Sequence, residues 1–167
     1  MTDQEKLYQA LIGFRNTGYY MSYFARADER GYPPISWNWP AFFVGLIWLV
    51  YRRNYRWALI YFVFIPAVVL TTSLLSGIIG VTSAANLQLI SILLFQAAYF
   101  PLHANGIYYK WALAELEKAR KLHPGNLEKQ IDHLTRTGGG NLNMLFLALT
   151  IMFVVLSLIN SLPQASG

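Results

Sequence analysis

The sequence predicts an all-α polytopic membrane protein with three transmembrane helices, one short re-entrant or interfacial aromatic helix, and amphipathic surface helices. Three observations carry that prediction. Charged residues make up only 13% of the chain, against about 25% in soluble domains. The charges are also segregated, since no Asp, Glu, Lys or Arg occurs between Arg56 and Lys110 or after Arg136. Finally, residues 36 to 62 join an aromatic-rich apolar stretch to Arg52, Arg53 and Arg56. Trp37, Trp39, Trp48, Tyr51, Tyr55 and Trp57 in that stretch are the amphipathic aromatics that settle at headgroup depth.

Taken in order, residues 1 to 35 form the first segment, with charges of both signs and no continuous apolar core of signal-peptide length. The start is therefore expected to be retained. Thr2 and Glu5 have capping-box spacing, and Leu7, Ala10, Leu11 and Phe14 recur at helical intervals until Asn16, Thr17 and Gly18. A second helix places Tyr20, Tyr23, Phe24 and Ala27 on one face and ends at Gly31, Pro33 and Pro34. Either helix could lie on the membrane surface or against the protein, and both are expected at the interface.

Residues 36 to 122 form the membrane core. Trp37 to Tyr51, with Pro40 in a permitted first-turn position, spans roughly 20 to 23 Å as helix, short of a hydrocarbon core of about 30 Å. A re-entrant or tilted interfacial placement follows. Trp57 to about Val81 is long enough to cross, with Pro66 able to kink it. Thr82 to Asn86 reads as a short uncharged connection. Leu87 to about Gly106 then returns, carrying Gln88, Gln96, Pro101, His103 and Asn105. An amphipathic helix follows, with Tyr108, Ala112, Leu116 and Ala119 on one face and Glu117 and Lys121 as a favourable i,i+4 pair.

Residues 123 to 141 read as a cytoplasmic linker. Asn126 can cap a short helix with Leu127, Ile131 and Leu134 in phase, and Gly138, Gly139 and Gly140 then supply a flexible joint. Residues 142 to 167 hold the last apolar span and tail. Cations flank the predicted hairpin at Arg52 to Arg56 and at Lys110 to Lys121, so the positive-inside bias puts both flanks and the N-terminus in the cytoplasm and the C-terminus outside.

The formal charge of +5 lies beside apolar spans rather than on an organised basic face. It therefore points to anionic headgroups at the cytoplasmic face and not to nucleic acid. The chain has no cysteine, which excludes disulfides, thiolate metal sites and cysteine catalysis. His123, Glu128, Asp132 and His133 form the one grouping that resembles a metal or acid/base site. They lack the helical pairing of HExxH and read as a solvated helix face, so no catalytic residue, cofactor or metal is expected. His103 and Asn105 sit at the end of their span, where an interfacial role is expected. Asn38 and Asn105 are each flanked by large aromatics at a depth where an unpaired amide is costly. Asn38 is therefore expected to pack near Asn105 or Tyr108, in a polar-aromatic knot of the WNW element and the end of the second span, and Trp37, Trp39, Trp48, Tyr51, Arg52 and Arg53 are the further residues expected to serve structure or interaction.

At Trp37, Asn38, Trp39, Ala41, Phe42, Gly45, Trp48, Tyr51 and Arg52, the pattern WNWxAFxxGxxWxxYR resembles the bacterial membrane family known as domain of unknown function 2628. A preceding YYMSYF and the downstream Ala104, Asn105, Tyr108 and Tyr109 extend the resemblance over about Tyr19 to Leu122. Arg53 replaces a common lysine, and Leu46 and Ile47 stand where a proline is common. The resemblance implies a multi-pass protein of the bacterial inner membrane without an assigned activity. The expected role is a non-catalytic accessory or scaffold protein docked on a larger membrane assembly or on itself. A small oligomeric transporter or channel is the alternative, and a membrane enzyme the third possibility.

Overall fold

Gly80, with φ of +84°, turns the chain between two long apolar helices, and the rest of the fold is built around their ends remote from that turn. The computed structural model describes residues 1–144 and, beyond them, 146, 147, 149, 150, 153 and 157. The described residues are helical, without strands: α1 (Asp3–Ile12), α2 (Thr17–Arg30), α3 (Trp39–Tyr51), α4 (Tyr55–Ile79), α5 (Val81–Leu94), a π-helical segment (Phe95–Tyr99), α6 (Phe100–Leu122) and α7 (Leu127–Thr137). Two helices are long and apolar enough to cross a membrane: α4, and the continuous 42-residue rod from Val81 to Leu122. Of the expected third span, Asn141 to about Asn160, half of the residues lie outside the described ones.

The rod corrects two expectations. Thr82 to Asn86 is helix rather than a connecting loop, because Gly80 makes the reversal alone. The returning span and the amphipathic helix are one element, about 60 Å long at 1.5 Å per residue, so its far end extends well past any bilayer core. The π-helical segment has a local cause. Pro101 has no N–H to give the Ala97 carbonyl and its ring crowds that turn, and the chain widens so that Phe100 N–H bonds to the Phe95 carbonyl instead.

The amphipathic helices bury their apolar faces against protein. Leu7 and Leu11 of α1, Tyr20, Tyr23, Phe24 and Ala27 of α2, Leu116 and Ala119 of α6, and Leu134 of α7 form one core. The charged half of the rod offers the apolar stripe that covers the faces of the first two helices. Thr2 and Glu5 make the full capping box, but α1 ends at Ile12 and Phe14 is 89% exposed, off the apolar face where it was expected. Asp28 joins the helices of this cap by accepting hydrogen bonds from Gln4, Tyr8 and Tyr109. Burial, reinforced by the Asp28 charge, pushes the Tyr8 hydroxyl well above the usual tyrosine range. Glu117 and Lys121 pair at 2.6 Å, and Asn126 caps α7.

Gly138 to Gly140 do not form a free joint. Gly139 N–H donates to the Leu11 carbonyl at 2.7 Å, Asn141 N–H to the Tyr51 carbonyl at 2.9 Å, and Arg53 Nη1 to the Arg136 carbonyl at 2.8 Å. The glycines are there because the segment is pressed against α1 and α3. A Cβ on Gly138 would lie 2.1 Å from the Leu11 carbonyl oxygen, and one on Gly140 would lie 2.0 Å from the Tyr51 ring.

Candidate functional site

The aromatic helix α3 is capped by Asn38. Asn38 Oδ1 accepts from Ala41 N–H at 2.9 Å and Pro40 occupies the first turn. The helix breaks at Val44 (φ −133°, ψ 36°). Its two arms then return to the same stretch of α6. On one side Asn38 N–H bonds to the Pro101 carbonyl at 3.0 Å, and on the other Trp48 packs edge-on against Phe100 and Tyr108. Between them the break reaches the π-helical segment, where Gln96 donates to the Phe42 carbonyl and accepts from the Tyr61 hydroxyl. Gly45 permits the close approach, since a Cβ there would sit 2.8 Å from the Tyr61 oxygen. A broken helix frees backbone groups, which an apolar environment tolerates only when other protein groups satisfy them. Gln96 does so at Phe42.

The first cluster built on this frame is the asparagine knot. Asn38 Nδ2 donates to Asn105 Oδ1 at 2.8 Å, and Asn105 Nδ2 donates to the Tyr19 hydroxyl and to Ser36 Oγ, both at 2.7 Å. Asn105 is fully buried and Asn38 nearly so. The contact expected from the sequence is made, with Tyr19 and Ser36 as additional members. Trp37 packs on Trp39 and Phe42 beside the knot, its carbonyl accepting from Tyr19, while Trp39 itself is 61% exposed.

The second cluster surrounds Arg52, which is 2% exposed. Its Cζ lies over the rings of Tyr20 at 4.4 Å, Tyr108 at 5.1 Å and Tyr51 at 5.4 Å, tying α2, α3 and α6 together by cation–π contact. Its Nε and Nη1 are buried without a hydrogen-bond partner among the described residues, as is the neighbouring Tyr108 hydroxyl. A cleft of about 400 Å³ opens beside it, with Arg15, Asn16, Tyr20, Trp48 and Tyr51 among its walls.

The candidate residues thus divide. Trp37, Asn38, Trp39 and Asn105 belong to the knot; Trp48, Tyr51, Arg52 and Tyr108 belong to the arginine cluster; and Arg53, in a left-handed conformation (φ 57°), turns the chain into α4. His103 stands apart. Its ring stacks on Tyr99 with centroids 4.4 Å apart and its Nδ1 lies 2.7 Å from the Tyr99 carbonyl. The His123 and His133 rings meet at 5.9 Å, but Asp132 is engaged by Arg136 at 3.0 Å, and no group of three or more metal-ligating side chains forms among the described residues.

Sequence reasoning missed Arg15 and Tyr20 as members of the cleft. Adjacent tyrosines at 19 and 20 were the available signal: one turns to the knot and the other to the arginine.

No curated protein and no solved structure has significant similarity to this chain. The family described as Protein of unknown function (DUF2628) matches residues 18–113. That stretch holds every member of the asparagine knot and, of the arginine cluster, Tyr20, Trp48, Tyr51, Arg52 and Tyr108. Because the match takes in more than half of the 167 residues, the chain belongs to this family.

Proposed function

We propose that this chain is a non-catalytic accessory or scaffold protein of the bacterial inner membrane that docks on a larger membrane assembly. The observation that carries the proposal is the fate of the polar side chains in the apolar helices. Thr72 meets Gln88 at 3.1 Å, and Gln96 is engaged by Tyr61 and the Phe42 carbonyl. Polar groups committed to one another stabilise packing by about 1 kcal/mol each, and these three are taken up by the protein rather than offered to a solute. The outer faces of the two long helices, including Leu59, Leu70 and Leu74 of α4 and Leu89, Leu93 and Leu94 of the rod, are exposed and free to meet lipid or a partner helix.

In this proposal α3 is a re-entrant element, α4 and the rod cross the bilayer, and the C-terminal segment supplies a third span ending outside. The cap of α1, α2 and α7 is cytoplasmic by the positive-inside bias. Cysteine labelling tests the threading, since the native chain has no cysteine. Ser83→Cys should react with an impermeant reagent from outside and Thr2→Cys should not; the reverse pattern overturns the topology. Purification from native membranes in mild detergent tests the role. A foreign membrane protein in fixed stoichiometry is the expected result, while a pure homo-oligomer that conducts a solute in liposomes would replace the accessory role with transport.

A further inference from the structure

We propose that the cleft beside Arg52 is a phosphate-binding site, filled by the headgroup of an anionic phospholipid or by a soluble phosphate. The argument starts from the guanidinium. The rings of Tyr20, Tyr51 and Tyr108 meet its charge, but a ring face gives its N–H groups no strong in-plane acceptor, and Nε and Nη1 remain unbonded in a side chain that is 98% buried. A buried guanidinium without an acceptor is unfavourable, and its planar fork matches a phosphate.

The walls agree with that ligand. No lining residue is acidic, and Arg15 adds a second cation. Neither arginine pairs with a carboxylate among the described residues. Asn16, which also lines the cleft, leaves the start of the 14-residue α2 without a side-chain cap, so the positive end of that helix dipole adds to the field. The remaining walls are aromatic or apolar, including Trp48 and Ile47, and suit the glycerol and first methylenes of a lipid as well as a bare anion. This site is independent of whether the protein has an accessory role.

The test uses the full-length protein in zwitterionic detergent. It is titrated separately with phosphatidylglycerol, with phosphatidylcholine and with inorganic phosphate, and melting temperature is followed, because a ligand bound to the native state raises it. Phosphatidylglycerol should raise the melting temperature of the wild type. The midpoint should move at least about tenfold to higher ligand in Arg15→Gln and in Arg52→Lys, a typical loss for one charge-assisted hydrogen bond. A response to phosphatidylglycerol without one to phosphate assigns the site to a lipid headgroup; an equal response to phosphate assigns it to a soluble anion. Arg15 is exposed, so Arg15→Gln decides the matter even if Arg52→Lys does not fold. The proposal is overturned if phosphatidylcholine acts as well as phosphatidylglycerol, if no ligand shifts the wild type, or if Arg15→Gln titrates like the wild type.

Discussion

Asn105→Ala should lower the unfolding free energy by about 2 to 4 kcal/mol, among the larger effects of any single substitution in this chain. Asn105 is fully buried and holds three partners: the Asn38 amide, the Tyr19 hydroxyl and Ser36 Oγ. Truncation removes one side chain and strands the Asn38 amide, which has no water to turn to. It also loosens the cap of α3, because Asn38 Oδ1 is aimed at Ala41 N–H by the same contact. Asn38→Ala should cost less, about 1 to 3 kcal/mol. The two losses should not add: once one amide is gone the other has less to lose, and a double-mutant cycle should return about 1 to 2 kcal/mol of coupling. Reversible denaturation in mixed micelles measures all three variants. Strict additivity would mean that the asparagines do not act as a pair.

Gly138→Ala should be the second large loss, about 2 to 3 kcal/mol for one added methyl group. The new Cβ would meet the backbone of Leu11, which cannot rotate away as a side chain tip can. The segment must lift, and the Gly139 to Leu11 hydrogen bond at 2.7 Å is lost with it. Two other glycines make the controls. Gly139→Ala has open space but a φ of +72°, which costs about 1 kcal/mol for an L residue. Gly18→Ala, helical and with nothing within 4 Å, should be neutral or stabilising by up to about 1 kcal/mol. The ordering 138, then 139, then 18 in thermal melts is the expected result. Equal effects at all three would mean that this segment is the loose joint its composition suggests.

Those glycines mark the limit of local reading. Three consecutive glycines have the composition of a flexible linker, and nothing in their sequence says that Leu11, at the end of α1, presses against them. The broken helix is similar. Apolar length in Trp37 to Tyr51 predicted an element too short to cross. That it folds back at Val44 depends on Gln96 reaching the Phe42 carbonyl, an interaction between residues 54 positions apart. The helix faces of α1 and α2 were legible as apolar stripes, but amphipathicity does not distinguish a stripe that meets lipid from one that meets another helix. Here the charged half of the rod decided it.

What the sequence determined by itself were properties that depend on local composition and spacing. These are the helical class, the two long apolar helices, the capping residues Thr2 and Asn126, and the need of Asn38 for a partner, since a buried amide requires one wherever it lies. Tertiary structure alone decided which groups meet. Tyr19 and Tyr20 are adjacent in the chain yet join different clusters, and Arg52 acquires three aromatic rings from α2, α3 and α6 but no acceptor for two of its nitrogens. The physical reason is that propensity, capping and hydropathy act over a few residues, whereas burial and hydrogen-bond satisfaction are fixed only when distant segments pack.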